Sequence, residues 1–340
     1  MKAALLGEYH RPLELVERPE PEPAKPRDVV VKIGGAGVCA TDLHAIDGLM
    51  EPAGLKLPVV LGHENAGWVH AVGDGVTTAS VGDAVLLYPP YSCGLCVPCR
   101  RGLDMFCEHH QFTGLTQDGG FADFVLVDER SLVPLPDGVD PIAVAPHSDA
   151  GITAYHAVKA LAPRLVPGTT AAVIGVGGVG HIGLQLLRVL GASAVVAIDT
   201  DERRRALARE LGADEVLGEE GDVADGVREA TNGTGADVVL DFVGTDETHE
   251  AGLKMLARRG LYSAVGYGGT ISIPSGQLVA AEGAIAGNLV GSWIDLWELL
   301  QLHGRGEITL LTETHPLEQV NDVLGSLREG EITGRAVLVP

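Results

Sequence analysis

The chain has 340 residues, which is enough for two domains that each bury a core. Its formal net charge of −22 argues against a nucleic-acid partner, because an acidic surface repels phosphate groups. No apolar run approaches the roughly 18–20 residues of a membrane helix, and the first residues lack a signal-peptide pattern. These features predict a cytoplasmic protein that acts away from membranes.

The first chemically distinctive stretch is GGAGVCATDLHAIDG, where a glycine-rich strand end delivers Cys39. Further along, GHENAG places His63 and an adjacent acid between glycines. A single cysteine or histidine is usually a packing residue, but here two glycine-bounded turns collect several reactive side chains. The candidate functional residues of these turns are Cys39, Thr41, Asp42, His44, His63 and Glu64.

Four further cysteines follow the pattern C-x2-C-x2-C-x7-C, namely Cys93, Cys96, Cys99 and Cys107. Clustered cysteines in a cytoplasmic protein are more often metal ligands than disulfides. Four thiolates fill the tetrahedral sphere of Zn²⁺ and leave no position for a substrate, so this pattern favours a structural zinc site. A redox dithiol, a cysteine-rich surface loop and an iron–sulfur cluster are the alternatives. Arg100 and Arg101 directly follow the third cysteine and can offset the net negative charge of a zinc ion bound by four thiolates.

The second half of the chain carries a dinucleotide-binding pattern. The apolar run 171–174 predicts a buried parallel strand, and GHIGLQLLRVLG predicts the helix that follows. Between them, GVGGVG has the G-x-G-x-x-G spacing that lets a pyrophosphate approach the backbone at a helix N-terminus. The candidate cofactor residues in this turn are Gly175, Gly177, Gly178, Val179 and Gly180.

An acid at the end of the next strand indicates which nucleotide is bound. The run AVVAI ends in Asp199, about twenty residues after the glycine turn. A carboxylate there accepts both ribose hydroxyls and repels a 2′-phosphate, which predicts NAD rather than NADP. Three arginines follow, Arg203, Arg204 and Arg205, and an arginine here could bind a 2′-phosphate. The alternative is that they form a solvated helix face.

Later strands alternate with helices, which predicts a doubly wound parallel sheet. The expected strands are ADVVLDFVG, ending at Asp241 and Gly244, GLYSAVGYGG, ending at Gly266, and GNLVGSW, reaching Trp293. Ligands bind at the carboxyl ends of such strands. We therefore expect the nicotinamide to contact Val243, Val265, Leu289, Val290 and Gly291.

The motifs GVCATDLH, GHENAG and VGDAVLL, together with the four-cysteine loop, resemble the zinc-containing medium-chain alcohol dehydrogenases along nearly the whole chain. The resemblance implies that Cys39 and His63 bind a catalytic zinc ion. It implies that Asp42 orients His63 and that Glu64 is a carboxylate at or beside the metal.

The third protein ligand departs from the commonest pattern of this family, which is a second cysteine. The corresponding segment is APHSDAGITAYHAV, and Asp149 stands at the ligand position. A carboxylate is an acceptable zinc ligand. We therefore expect Cys39, His63 and Asp149 to bind the metal, with Glu64 and His147 as alternatives for the third place.

The resemblance also implies the domain organisation. A β-rich, GroES-like catalytic domain is expected to span residues 1–150 and 292–340, and a Rossmann NAD-binding domain residues 151–291. The cleft between the two is expected to hold the zinc ion and the nicotinamide. Arg204 is implied to lie beside the adenosine ribose. Arg335 is implied to reach the pyrophosphate, with an ordinary surface arginine as the alternative.

The implied activity is oxidation of an alcohol by hydride transfer to NAD⁺, with two Zn²⁺ per chain. Zinc lowers the pKa of the alcohol, Thr41 accepts its proton, and His44 releases the proton to solvent by way of the nicotinamide ribose. A secondary, medium-chain or aromatic primary alcohol is expected. The alternatives are a polyol or threonine dehydrogenase, a zinc-free reductase of quinones or enones, and a non-catalytic nucleotide-binding protein.

Two further expectations concern the substrate pocket and the assembly. Tyr88, Leu115 and Trp293 are candidates to line the pocket. The stretch GAIAGNLVGSW is a candidate for edge-to-edge pairing between subunits, as in the dimers and tetramers of the family. A homotetramer is expected, with a dimer as the alternative.

Overall fold

The computed structural model describes residues 1–109, 111–218 and 221–340. The chain divides into two units. The first comprises Met1–Ile152 and Gly291–Pro340, and the second comprises Thr153–Val290. Within the described residues, no helix has the length and apolar character needed to cross a bilayer.

The strands are numbered in chain order. They are β1 (Lys2–Leu6), β2 (Glu14–Glu17), β3 (Asp28–Gly37), β4 (Val59–Val60), β5 (Glu64–Val72), β6 (Ala84–Leu87), β7 (Phe124–Asp128), β8 (Leu132–Pro134), β9 (Thr170–Ile174), β10 (Ala194–Ile198), β11 (Glu215–Leu217), β12 (Ala236–Asp241), β13 (Leu256–Ala264), β14 (Ala284–Gly287), β15 (Thr312–Pro316) and β16 (Arg335–Val339).

The helices are numbered in the same way. They are α1 (Ala40–Ile46), α2 (Val97–Arg100), α3 (Pro141–Val144), α4 (Ala150–Leu161), α5 (Gly180–Val189), α6 (Glu202–Glu210), α7 (Val223–Ala230), α8 (Asp246–Met255), α9 (Ser275–Ala281), α10 (Trp293–Gly304) and α11 (Val320–Arg328).

The first unit is built on β-sheets. Its larger sheet has the order β15-β16-β3-β5-β6-β8, with β7 also paired to β3, and β2-β1-β4 forms a smaller sheet. Strand β3 is central because its run VVVKIGGAG pairs with β5, β7 and β16. The buried valines and isoleucine of β3 pack into a core of aliphatic side chains with Phe121. This pairing holds the end of β3 and the start of β5 beside each other, which positions the site described below.

The second unit contains a parallel sheet with the order β11-β10-β9-β12-β13-β14. Strands β9, β10 and β12 are apolar and largely buried, as strands covered by helices on both faces must be. The chain leaves β9 first toward β10 and later returns to β12 on its other side. This change of direction is the switch point at which α/β sheets bind ligands. The predicted fold class is confirmed.

Two strand predictions need correction. The strand expected over GNLVGSW is wrong, since β14 ends at Gly287 and α10 begins at Trp293. The reason is local, because Ser292 accepts a hydrogen bond from the backbone of Asp295 and the Asp295 carboxylate accepts one from Ser292, which starts a helix. The strand expected to end at Gly266 ends at Ala264. The N–H groups of Val265 and Gly266 both turn back to the carbonyl of Asp241.

Candidate active site

The end of β3 and the start of α1 position Cys39 in the first unit. Strand β3 ends at Gly37, where a Cβ atom would lie 2.1 Å from the carboxylate of Glu64. Glycine is therefore required at this crossing of β3 and β5. Cys39 precedes α1, and its backbone N–H donates a 2.9 Å hydrogen bond to the carboxylate of Asp42 in the first helical turn. This capping contact fixes the cysteine at the helix start.

Cys39, His63 and Asp149 converge on one point, with one potential ligand atom from each within 4.8 Å of the others. The Asp149 carboxylate lies 3.6 Å from Cys39 Sγ and 3.5 Å from His63 Nε2. Ligand atoms ~2.0–2.3 Å from a tetrahedral zinc ion lie about 3.3–3.8 Å from one another. The observed separations therefore match a zinc ion between the three side chains.

The histidine of this group is buried, at 1 % exposure, and among the described residues neither ring nitrogen has a partner with good hydrogen-bond geometry. Its Nδ1 lies 3.3 Å from the buried carboxylate of Asp42. Burial lowers the pKa of His63, but the negative charges of Asp42 and Asp149 outweigh it and raise that pKa well above its ordinary value. The site thus attracts positive charge, and the donor set of a thiolate, an imidazole and a carboxylate fits zinc.

Glu64 binds the backbone beside Asp149 and an arginine of β16. Its carboxylate accepts a 2.9 Å hydrogen bond from the backbone of Ala150, directly after Asp149, and forms an ion pair with Arg335 of β16. Both side chains of this pair are buried, at 0 % and 5 % exposure. The structure thus ties the backbone beside Asp149 to β5 and β16. It places Arg335 on Glu64, a pairing that local sequence patterns miss because the two residues lie 271 positions apart.

His147, the other alternative ligand, contacts a histidine of α10. Its Nε2 is 3.1 Å from Nδ1 of His303 in α10. In the described part of the chain, the metal-binding group around Cys39 includes Asp149 and neither His147 nor Glu64.

The two residues expected to move a proton lie on α1. Thr41 Oγ1 is 3.8 Å from Cys39 Sγ, so its hydroxyl borders the three converging ligands. His44 follows three positions later, on the same face of the helix as Thr41. Both residues are partly exposed.

The four clustered cysteines form the second group of possible ligands in the described residues. They are free thiols, and the sulfur of Cys96 lies 3.3 Å from that of Cys99 and 3.9 Å from that of Cys107. Four sulfurs ~2.3 Å from a tetrahedral zinc ion lie about 3.8 Å from one another. The cysteines are therefore arranged as a four-thiolate site rather than as disulfides.

Backbone amides point at these sulfurs, as the C-x2-C spacing predicts. Leu95 and Cys96 donate to Cys93 Sγ at 3.4 Å each, and these two bonds lower the pKa of Cys93 to about 6. Burial instead raises the pKa of Cys99 to about 12. A cation is needed to hold the more buried sulfur as a thiolate at neutral pH.

In the second unit, the glycine turn has the shape that the spacing predicts. Gly175 adopts φ 84°, and a Cβ on Gly180 would lie 1.8 Å from the carbonyl oxygen of Gly175. Glycine is required at Gly180 for α5 to pack this closely against the turn. A Cβ on Gly177, by contrast, would meet no other atom within 4 Å, so the backbone there is open to a ligand.

Asp199 lies at the end of β10 beside this turn. Its two carboxylate oxygens accept hydrogen bonds from Val176 N at 2.7 Å and Asp201 N at 2.9 Å. These bonds fix the carboxylate next to the glycine turn. Of the arginines on α6, Arg203 pairs with Asp201 and Arg205 pairs with Glu202, in line with a solvated helix face.

Comparisons with known proteins agree with this arrangement of sites. Residues 25–137 match the family "Alcohol dehydrogenase GroES-like domain", and residues 178–303 match the family "Zinc-binding dehydrogenase". An alcohol dehydrogenase of Geobacillus stearothermophilus is 36 % identical, over 99 % of this chain and 99 % of its own. The crystal structure of the alcohol dehydrogenase of Aeropyrum pernix covers 100 % of both chains, with 43 % identity and a TM-score of 0.96.

The chain belongs to the zinc-containing medium-chain alcohol dehydrogenase family.

Two further relatives bear on the cofactor and the substrate of this dehydrogenase. An NAD-dependent alcohol dehydrogenase of Sulfurisphaera tokodaii is 33 % identical over 100 % of both chains. A D-arabinose 1-dehydrogenase (NADP(+)) of Saccharolobus solfataricus is 35 % identical, over 100 % of this chain and 97 % of its own. The predictions of an NAD-dependent alcohol dehydrogenase with zinc and NAD as cofactors are confirmed. The roles of individual residues stay predictions.

The remaining predicted residues of the dehydrogenase lie at strand ends or in its core. Val243 and Val265 lie in the turns that follow β12 and β13, and Val243 is 43 % exposed. Leu289 is 54 % exposed, and Val290 adopts φ 46°, an unusual conformation for a β-branched residue. Such strain is often found in segments that bind ligands.

The three candidate pocket residues have other contacts in the structure. The hydroxyl of Tyr88 donates a 2.8 Å hydrogen bond to the carbonyl of Gly291. The indole N–H of Trp293 donates a 3.0 Å bond to the carbonyl of Leu132. Leu115 lies in the core of the first unit. Tyr88 and Trp293 therefore fasten the segment that begins α10, a role that the sequence alone does not indicate.

Substitution of a cysteine in the four-cysteine loop tests the structural zinc site. We expect Cys99→Ser to remove one zinc ion per chain and to lower the free energy of unfolding by several kcal/mol, because structural zinc contributes directly to folding. Metal analysis and thermal unfolding measure both effects. Glu108→Gln, at an exposed position of the same loop, is the control and should change stability by at most about 0.5 kcal/mol. Unchanged zinc content and stability in Cys99→Ser would contradict the assignment.

Proposed function

We propose that the dehydrogenase oxidises secondary, medium-chain or aromatic primary alcohols with NAD⁺ at a zinc ion bound by Cys39, His63 and Asp149. The observation that carries this proposal is the convergence of one ligand atom from each of the three side chains, with the buried imidazole facing Asp149 through Nε2 and Asp42 through Nδ1. In this proposal, residues 1–150 and 292–340 form the catalytic domain and residues 151–291 the NAD-binding domain.

The bound cofactors supply the central chemistry, since zinc acts as a Lewis acid toward the alcohol oxygen and NAD⁺ accepts the hydride. The residues of the chain hold the metal ligands in place and accept the proton of the alcohol. Asp42 contacts both the backbone N–H of Cys39 and the imidazole of His63, and so fixes the positions of these two ligands relative to each other. The pair of Glu64 and Arg335 holds the backbone beside Asp149.

The alcohol must lose its proton before hydride transfer, and Thr41 is the proposed acceptor. Its hydroxyl borders the sulfur of Cys39, and His44 lies on the same helical face in a partly exposed position. We infer that the proton passes through Thr41 and leaves by way of His44.

The second unit is proposed to bind NAD at the carboxyl ends of its strands. The glycine turn receives the pyrophosphate, and Asp199 with Arg204 contacts the adenosine ribose. The nicotinamide lies against Val243, Val265 and the segment 289–291. For Arg335, the ion pair with Glu64 supports a role beside the zinc site, and its contact with the pyrophosphate stays a prediction.

A sugar or polyol is the second candidate substrate class. The observation that favours it is the match over nearly the full length of both chains to an enzyme named as a D-arabinose 1-dehydrogenase. A zinc-free reductase is disfavoured, because it would not require the converging ligands at Cys39, His63 and Asp149.

For the assembly, we propose a homotetramer built from dimers, with a dimer as the alternative. Strand β14 is the edge strand of the parallel sheet and leaves its outer backbone groups available for pairing. Two such edges can join across a two-fold axis. The cytoplasmic location stays a prediction.

A substrate panel tests the proposed activity. NADH formation is measured with primary, secondary, aromatic and polyol substrates, and zinc is quantified in the same preparation. We expect turnover of secondary or longer primary alcohols with close to two zinc ions per chain. Turnover of sugars and polyols alone would replace the substrate class, and no turnover by protein with both zinc ions would refute the activity.

Removal of the histidine ligand tests the catalytic zinc site. We expect His63→Ala to reduce kcat/KM by about a thousandfold or more, which corresponds to about 4 kcal/mol of lost transition-state stabilisation. NADH binding should remain close to that of the unaltered enzyme, as measured by fluorescence titration. Asp149→Cys, which supplies the commoner ligand of the family, is the matched variant that should retain zinc, whereas Asp149→Ala should lose it. Normal turnover by His63→Ala would end the assignment.

Substitution of the acid at the end of β10 tests the nucleotide preference. We expect Asp199→Ala to reduce the ratio of kcat/KM for NAD over NADP by about tenfold to a hundredfold, because hydrogen bonds to a carboxylate are worth about 1.5–3 kcal/mol. The same carboxylate also holds the glycine turn, so Asp199→Asn is the control that keeps one acceptor and loses the charge. An unchanged ratio in both variants would count against the role of Asp199.

A further inference from the structure

A buried chain of three polar side chains lies inside the second unit, and we call it the Asp241 network. It consists of Asp241 at the end of β12, Tyr262 in the adjacent strand β13, and His249 in α8. The Tyr262 hydroxyl lies 2.6 Å from the Asp241 carboxylate and 2.6 Å from His249 Nδ1. Exposure of the three residues is 0 %, 0 % and 3 %. None of the residues assigned to binding or catalysis above belongs to this network.

The hydrogen bonds of the network have a defined direction. An ionised carboxylate only accepts hydrogen bonds, so the single proton of Tyr262 is donated to Asp241. The phenol oxygen is then left to accept from His249, which assigns the imidazole proton to Nδ1. Burial and the charge of Asp241 raise the pKa of Tyr262, which keeps the phenol protonated. The result is a chain of donors from His249 through Tyr262 to Asp241.

Asp241 connects this chain to two turns of the backbone. Its carboxylate accepts from Val243 N at 2.8 Å and from Gly244 N at 2.9 Å. Its main-chain carbonyl accepts from Val265 N and Gly266 N, both at 2.9 Å. One residue therefore shapes the turn after β12 and also the turn after β13.

The two turns are also in direct contact. Gly244 adopts φ 78°, and a Cβ there would lie 2.2 Å from the carbonyl carbon of Gly266. Such close packing means that a shift of one turn displaces the other. Both turns lie at the carboxyl ends of neighbouring parallel strands, where α/β sheets bind their ligands.

We propose that Tyr262 and His249 are positioning residues for the nicotinamide half of the cofactor, acting through Asp241 on the turns that carry Val243 and Val265. This inference rests on the proposed function, which places these two valines at the nicotinamide. The adenosine half is held by the glycine turn and Asp199, which lie outside the Asp241 network. The network therefore acts directly on the turns proposed for the nicotinamide and reaches the glycine turn less directly, through the packing of Val243 against Gly175.

Tyr262→Phe in the zinc-loaded enzyme tests this inference, because it removes one hydroxyl and keeps the ring. The dissociation constants of NADH and of ADP-ribose, which lacks the nicotinamide, are measured side by side. We expect the constant for NADH to rise about tenfold, equivalent to about 1.4 kcal/mol, and that for ADP-ribose to change less than twofold. Tyr155→Phe, in a largely buried position of α4, is the control and should alter neither constant.

Variants of the histidine provide a second test that tolerates a loss of stability in Tyr262→Phe. His249→Phe removes the donor to Tyr262 and also the imidazole nitrogen that lies 3.3 Å from the Asp241 carboxylate. It should weaken NADH binding selectively, by about threefold, because Tyr262 still holds that carboxylate. His249→Asn keeps an N–H donor close to the position of Nδ1 and should restore much of the binding. A simple packing role of the histidine would not produce this rescue.

The outcomes separate the inference from the proposed function. Equal weakening of NADH and ADP-ribose, or no change in either, would overturn the positioning role. Failure of the unaltered enzyme to bind NADH while binding ADP-ribose would instead refute the placement of nicotinamide at the two turns. A selective loss of NADH binding with rescue by His249→Asn supports the inference.

Discussion

Burial of acidic groups around one imidazole is the constraint on which the catalytic unit depends. Asp42 and Glu64 are fully buried, Cys39 is nearly so, and the side chain of Asp149 is 14 % exposed. Buried carboxylates are costly unless they are paired or hydrogen-bonded. Arg335 pairs with Glu64, and Asp42 is bound by the backbone of Cys39. Cys39 and Asp149 face His63, and in the proposed site a divalent cation binds all three side chains. The pairing of β3 with β5 and β16 brings these groups together, and the proposed metal ion would stabilise the arrangement.

In the second unit, the proposed ligand site is formed mainly by backbone groups rather than by charged side chains. Gly177 leaves the main chain open, Gly180 allows α5 to approach, and carboxylates at the ends of β10 and β12 hold the turns. Asp199 and Asp241 are used in the same way, since each follows a buried strand and accepts from backbone amides beyond it. A single acidic residue at each strand end thus fixes a turn at the edge of the sheet where the nucleotide is proposed to bind. The additional side chains behind Asp241 suggest that the turn after β12 requires firmer support than the turn after β9.

Sequence patterns predicted the features that depend on nearby residues. The cysteine spacing, the glycine turn and strands β9, β10 and β12 follow from local periodicity and short motifs, and the structure has them where they were expected. Contacts between residues far apart in the sequence could not be predicted from these local patterns. Glu64 and Arg335 lie on strands that become neighbours only when β3 pairs with both β5 and β16. The hydroxyl of Tyr88 and the indole of Trp293 bind backbone carbonyls far away in the sequence, which local patterns do not indicate, and their place in the substrate pocket stays a prediction. The strand expected to reach Trp293 is wrong, because the cap formed by Ser292 and Asp295 starts a helix within an apolar run.

In the proposed ligand set, Asp149 takes the place of the second cysteine that is common in the family. A carboxylate and a thiolate each carry one negative charge, so a ligand set of Cys39, His63 and Asp149 has the same net charge as one with a second cysteine. The surrounding charges therefore need no adjustment, and the pair of Glu64 and Arg335 remains neutral beside it. What changes is the donor atom, because oxygen is a harder ligand than sulfur and transfers less charge to the metal. A zinc ion with one fewer thiolate is the stronger Lewis acid. In the proposed site, an aspartate at this position would therefore act on the acidity of the alcohol rather than on the charge balance of the ligand set.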